Sequence, residues 1–136
     1  MALIEDRKDR EQRVLFGQRR AGPRFSTNEE VPEHQSGRTL NGVAAELMAG
    51  TLTSDDIAIF AFRYQGKLVS ANTRGLATLS KAGMKPTNIT IITPSPSYLR
   101  RLREVSVLGD TLPSTRIAIT PSITDTRVLE VVSIPD

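Results

Sequence analysis

The order of hydrophobic patterns along this chain predicts an α+β fold, folded as a single compact domain. Three observations carry that prediction. Leu40, Val43, Ala44, Leu47 and Met48 fall at i, i+3, i+4, i+7 and i+8, the stripe of one helix face. Directly after it, the Ile- and Phe-rich run Ile57–Tyr64 meets a glycine turn and a returning apolar run, which is the pattern of a hairpin. The chain has 136 residues, 38% of them hydrophobic and 24% charged, enough for one buried core and short for two. Helix, hairpin, helix, strand, helix and closing strands suit a small mixed sheet flanked by helices.

The opening stretch, residues 1–13, mixes acids and bases with few apolar positions and reads as a charged leader or linker, so the domain is expected to span residues 14–136. VLFGQRRAGPRFS follows, an apolar start bent by Gly17, Gly22 and Pro23, and Thr27–Arg38 reads as a polar loop. Thr39 or Asn41 can cap the first helix, and Gly50 sits where a left-handed residue ends one. The hairpin is expected to turn at Gln65–Gly66 or Gly66–Lys67 and return through Leu68–Ala71. A second helix is expected from Thr73 to Ala82, with Leu76, Ala77 and Leu79 inward, Asn72 or Thr73 at its N-cap and Gly83 closing it. Asn88–Thr93 reads as a strand, Pro96 to about Glu104 as a short basic helix, and Arg116–Thr120 and Arg127–Ile134 as the last strands.

Composition excludes several chemistries. With no cysteine there is no disulfide scaffold, no thiolate nucleophile and no sulfur-ligated zinc, and His34 alone cannot make a histidine metal site. No apolar run approaches the roughly 18 residues of a membrane span, so no membrane anchor is expected. The charge is segregated. Arg63, Lys67, Arg74, Lys81, Lys85, Arg100, Arg101 and Arg103 fall in 41 residues that contain no Asp or Glu. A second acid-free stretch carries Arg13, Arg19, Arg20 and Arg24. Such blocks attract polyanions, and a solvated surface balanced by acids elsewhere is the plainer alternative.

The segment from Gly66 to Met84 concentrates the chemistry. A strand runs into Ala71–Asn72–Thr73–Arg74, which opens directly into a helix whose first amides lack internal partners and sit at the positive end of the helix dipole. Arg74 adds a fork-shaped guanidinium, and Gly75 allows close approach to the backbone. Arg20 and Arg24, with Gln18 and Ser26 beside them in a bent loop, could clamp a further phosphate. His34 could serve as a general base, the role an imidazole commonly takes, although a polar-loop histidine is commonly a surface one. Tyr64 could stack on a base or complete the core. Glu46, Asp55, Asp56, Asp110 and Asp125 show no metal-ligand spacing, so both Mg²⁺ use and a metal-free mechanism stay open.

These residues carry a resemblance. The helix, the strand, the Gly-Lys turn, the returning strand, the helix NTRGLATLSKAG and the strand NITII resemble the core of the ParB N-terminal domain and sulfiredoxin superfamily, over about residues 40–92. In that superfamily the turn matching Asn72–Arg74 binds nucleotide phosphates. The sulfiredoxin cysteine is absent, which excludes sulfinic-acid reduction, and Gly75 stands where ParB has a second arginine. Over nearly the whole chain, FGQRRAGPRFS, NTRGLATL, GMKPTNIT, LGDTLPS and the TPS tail resemble C-terminal toxin domains of bacterial polymorphic toxins of the Rhs and contact-dependent inhibition types.

That resemblance implies an effector toxin that hydrolyses phosphodiester bonds in nucleic acid, with DNA ahead of RNA. Asn72, Arg74, Arg20 and His34 would be catalytic, and Thr73, Gly75, Gln18, Arg24 and Ser26 would bind phosphate. Arg63, Lys67, Lys81, Lys85, Arg100 and Arg101 would steer the polyanion. It further implies a cognate immunity protein, and delivery within a larger secreted effector to the target-cell cytoplasm. The alternatives are a toxin that hydrolyses or transfers from ATP, NAD or CTP, and a module that binds DNA without cutting it.

Overall fold

A computed structural model describes residues 13–27 and 31–136. The expected leader lies almost wholly outside the described residues, as does part of the loop expected at Thr27–Arg38. Ten elements follow in order. They are β1 (Val14–Leu15), α1 (Leu40–Ala49), a 3₁₀ turn (Ser54–Asp56), β2 (Ile59–Tyr64), β3 (Lys67–Ser70), α2 (Thr73–Lys81), β4 (Ile89–Ile91), α3 (Pro96–Arg101), β5 (Arg116–Ile119) and β6 (Glu130–Ser133).

The first sheet has strand order β1-β3-β2-β4 and is mixed. β2 and β3 form the expected antiparallel hairpin, while β1 runs parallel to β3 and β4 parallel to β2. The hairpin turns at Gln65–Gly66, both with positive φ (51° and 78°), which matches the right-handed twist of the flanking strands. β5 and β6 pair antiparallel as a second sheet. The chain is thus a mixed α+β domain with a small mixed sheet and three α-helices among the described residues.

One face of the first sheet presents Ile59, Ala61 and Leu68 to α1 (Leu40, Val43, Leu47), α2 (Leu76, Leu79) and the second sheet (Ile117, Val132). These side chains are 0–3% exposed. Each buried leucine or isoleucine contributes about 1.5–3 kcal/mol relative to an exposed one, so this core dominates the fold. The opposite face carries a smaller cluster, Phe62, Val69, Leu102 and Leu112, with Tyr64 and Tyr98 packed on it. Tyr64 is therefore a half-buried core aromatic.

β1 was not expected from the sequence. It is two residues long, and only its long-range register with β3 (Val14↔Leu68, Leu15↔Val69) makes it a strand. Past it, Phe16 exchanges two 2.9 Å hydrogen bonds with Ser114, and Ala21 donates to Ala118 at 3.0 Å, so this segment stitches the first sheet to the second. Gly17 is required at the crossing, since a Cβ there would stand 2.5 Å from Val69 Cγ1. The remaining differences are at ends. β2 starts two residues later than expected because Ser54–Asp56 winds as a 3₁₀ turn. α3 stops at Arg101, three residues earlier than expected, and β6 is the central part of the expected Arg127–Ile134 run.

Candidate functional site

β1 and β3 are parallel, and their C-terminal ends lie together where β3 turns into α2. β2 is antiparallel to β3, which brings its N-terminal end, Ala58 to Phe60, to the same place. A cavity of about 530 Å³ opens there. Gln18 and Ser26 line it from the N-terminal loop, and Asn72, Thr73, Arg74 and Gly75 line it from the start of α2. Residues some fifty positions apart, grouped by the sequence for one chemistry, therefore converge.

The start of α2 is open. Asn72 occupies the N-cap position, yet its side chain makes no capping bond. Its Oδ1 accepts from the Phe60 amide at 2.9 Å, and its Nδ2 donates to the Ala58 carbonyl at 2.8 Å. Both halves of the amide thereby close the edge of β2 onto the turn, and Asn72 positions the turn. Leu76 N donates to the Asn72 carbonyl, but the amides of Thr73, Arg74 and Gly75 have no acceptor among the described residues. Thr73 is 4% exposed and its Oγ1 has no partner either. A buried hydroxyl left unpaired costs about 1–3 kcal/mol, which a ligand acceptor at this position would recover.

Gly75 serves packing. A Cβ there would lie 3.0 Å from Asn72 Nδ2 and 3.2 Å from Ile59 Cδ1, so the expected ligand approach is not what demands glycine.

The arginines around this turn are held by neutral acceptors. Arg74 Nη1 donates to the Arg24 carbonyl at 2.6 Å, and Arg24 Nη1 donates to the Gly37 carbonyl at 3.3 Å. Arg20 grips Thr120 through its hydroxyl and, at 3.1 Å, its carbonyl. Burial, and then the charge of Arg74, push the Arg20 guanidinium below its ordinary pKa. None of the three pairs with a carboxylate among the described residues. Arg19, Arg38, Arg116 and Arg127 all do, with Glu104, Glu46, Asp110 and Asp125. Two neighbouring cations without a counter-charge favour an anion between or beside them.

The far wall is apolar and aromatic, a part the sequence reading missed. Phe25, Val31, Phe60, Ile92 and Tyr98 line it, and Phe60 is 42% exposed. Tyr98 stacks on Phe62 with centroids 5.8 Å apart and planes at 11°, and the Arg101 guanidinium lies 5.7 Å from the Tyr98 centroid. Alternation along β2 is the signal that could have found Phe60, since Ile59 and Ala61 turn inward and their neighbour turns out.

Several expected roles are not assembled here. His34 is half-buried outside the cavity lining, with its Nε2 at 2.8 Å from the Asp56 carbonyl and its own carbonyl accepting from Arg38 at 3.1 Å. It fastens the 32–37 turn to the 3₁₀ segment. Lys81, expected on the steering surface, is instead placed in an ion pair. Its side chain is 7% exposed and ion-paired with Glu130, forty-nine residues away and outside the acid-free block. Arg63 and Lys67 lie at the hairpin end of β2–β3, away from the cavity end, and Lys85 follows the C-terminal end of α2. Arg101, on α3, lies over the Tyr98 ring that lines the cavity, and Arg100 precedes it in the same helix. The acid-free block is one stretch of sequence and not one face.

The candidate carboxylates are each engaged: Glu46 with Arg38, Asp55 with Thr87, Asp56 with the Thr53 amide, Asp110 with Arg116 and Asp125 with Arg127. Among the described residues no group of three acidic, histidine or cysteine side chains gathers as a metal site, and no helix is long and apolar enough to cross a membrane. Comparison with models of known families, with curated proteins and with solved structures returns no match.

Proposed function

We propose that this chain binds a phosphate ester at the start of α2 and hydrolyses phosphodiester bonds in nucleic acid, DNA ahead of RNA. The observation that carries the reading is the open helix start. The unpartnered Thr73, Arg74 and Gly75 amides and the Thr73 hydroxyl meet Arg74 at one cavity wall, with Arg20 outside the lining but near enough to feel the Arg74 charge. A phosphate seated there would receive backbone and guanidinium donors together. Both would strengthen as negative charge builds on its oxygens during transfer, which is where a hydrolase gains rate. Arg24 adds charge from the loop, and Arg100 and Arg101 extend the basic surface past Tyr98.

In the same reading the fold is ParB- and sulfiredoxin-like, with β3, the turn and α2 as the shared core. The chain is then a toxin domain of a larger bacterial effector acting in the target cytoplasm. Its expected protein partner is an immunity protein with an acidic surface fitted to this basic rim.

The test is cleavage of supercoiled plasmid, single-stranded DNA and RNA by the unaltered protein and Arg74→Ala, each with and without Mg²⁺. Cleavage by the unaltered protein that is lost in Arg74→Ala is the expected result. Full cleavage by Arg74→Ala, or intact nucleic acid in every lane, would overturn the reading. A second reading, hydrolysis of or transfer from a free nucleotide, is favoured by the concave, partly aromatic cavity. Consumption of ATP, NAD or CTP with all nucleic acids intact would select it.

A further inference from the structure

Among the described residues that line the cavity, Ser26, Thr73 and Tyr98 carry a hydroxyl, and none carries a carboxylate, an imidazole or a lysine amine. Water attacking a phosphorus seated there finds no general base in that lining. A nucleophile supplied by the protein itself removes the need to activate water in the first step. The three hydroxyls are not equivalent. Thr73 Oγ1 is enclosed by the protein. The Tyr98 hydroxyl makes no hydrogen bond among the described residues and is not one of the enclosed atoms, so it is accessible. A phenol also parts with its proton more readily than the aliphatic hydroxyl of Ser26.

Tyr98 is held at three points. Its amide donates to the Ser95 cap at 3.4 Å, one residue after Pro96 has set the first turn of α3 and Ser97 has followed it. Its ring stacks on Phe62, which is 1% exposed, with the planes at 11°. The Arg101 guanidinium lies 5.7 Å from the ring centroid. A tyrosine packed on a core ordinarily finds a partner for its hydroxyl, and this one, fixed in place beside a cavity, has none.

We propose that Tyr98 is the nucleophile of phosphodiester cleavage and that the reaction passes through a covalent phosphotyrosyl ester. The Tyr98 oxygen attacks the phosphorus held by the α2 amides and Arg74. A new O–P bond forms as the bond from phosphorus to the departing sugar oxygen breaks, and the phenolic proton passes to that oxygen. One strand end leaves as a free hydroxyl, and the other stays esterified to Tyr98. Water then attacks the same phosphorus, the phosphotyrosyl bond breaks, and a proton of that water returns to the phenolic oxygen. The sum is hydrolysis with Tyr98 restored. The inference rests on the phosphodiester reading above and adds to it the atom that attacks.

The test combines stereochemistry with an isosteric variant. The substrate is an oligonucleotide with a phosphorothioate of single configuration at the cut position, hydrolysed in isotopically labelled water. Two displacements at phosphorus give net retention, and one displacement by water gives inversion. The unaltered protein should give retention. Tyr98→Phe keeps the ring on Phe62 and beneath Arg101 and removes an oxygen that bonds nothing. It should melt like the unaltered protein and lose about 1,000-fold or more in cleavage rate. Ser26→Ala should cleave at the unaltered rate.

Inversion by the unaltered protein, or undiminished cleavage by Tyr98→Phe, would overturn the proposal while leaving the phosphodiester reading standing, provided Arg74→Ala is inactive. Retention with cleavage lost in Ser26→Ala and kept in Tyr98→Phe would move the attack to Ser26 and overturn it as well. Absence of cleavage of any nucleic acid by the unaltered protein would overturn both.

Discussion

Helices α1 and α2 begin in opposite ways, and the contrast locates the site. At α1 the N-cap Thr39 turns its hydroxyl inward to accept from the Gly42 amide at 2.9 Å, and Gly50, at φ 83°, closes the other end. That helix is satisfied by its own neighbours and serves the core. At α2 the N-cap residue is also a strong capping type, yet Asn72 uses its amide on Ala58 and Phe60 and leaves the helix start bare toward a cavity. α3 follows the pattern of α1, with Ser95 accepting from the Tyr98 amide. A capping residue diverted to the backbone of a neighbouring strand costs local helix stability and leaves donors ready for an anion. Helix starts with the same cap chemistry can therefore be told apart by where the cap side chain is engaged.

Arg74→Ala should give the largest effect. Loss of one charged donor to a transferring phosphate lowers turnover by about 100-fold or more. Unfolding should be nearly unchanged, since Arg74 is half-buried and holds only the Arg24 carbonyl. Parallel turnover and thermal melts check the split, and a large drop in melting temperature would place Arg74 in the structure instead.

Asn72→Ala comes next, removing two hydrogen bonds and leaving the Phe60 amide and Ala58 carbonyl unmatched. About 2–3 kcal/mol of stability should be lost in urea titration, together with ligand binding. Retained binding in that variant would show that the turn holds without its clasp.

Thr39→Ala sharpens the contrast from the other side. It should cost about 1 kcal/mol and leave ligand affinity unaltered, because the cap it removes serves α1 alone. Weaker binding would mean the two helix starts are coupled, a link the α1–α2 packing could transmit.

The smallest effect belongs to a surface ion pair outside the cavity lining. The Arg116 guanidinium, hydrogen-bonded to Asp110 at 2.8 Å and 3.1 Å, holds that carboxyl below its ordinary pKa. A depressed folded-state pKa means the contribution is present above the unfolded value of about 3.9 and fades as pH falls through the folded one. Asp110→Asn should therefore lower the melting temperature slightly at neutral pH and converge with the unaltered protein in strong acid. Because the pair is exposed, the difference is small and screened by salt. A gap that widens on acidification would reverse the assignment.

Much of this contrast was legible in the chain. The hairpin, α1 with its Thr39 and Gly50 caps, and the Asn72–Arg74 opening of α2 follow from hydrophobic period, turn residues and cap types, all local signals. Gln18 and Ser26 line the cavity, their loop held by the close packing of Gly17 on Val69 and by the Arg74 bond to the Arg24 carbonyl. What local pattern could not show was pairing over distance. β1 exists only against β3, Lys81 is neutralised by Glu130 from the last strand, and Asn72 works on β2 instead of its own helix. Gln35 and Tyr98 entered the site from a polar loop and a short basic helix, whose sequences carry no periodic sign of facing a cavity.

The most direct test of the open helix start is an NMR titration of backbone amides with a nucleoside 5′-monophosphate, using α1 as the internal control. The account predicts saturating shifts at Thr73, Arg74 and Gly75 and none at Asn41 and Gly42. Shifts absent from the α2 amides, or equal at the two helix starts, would contradict it.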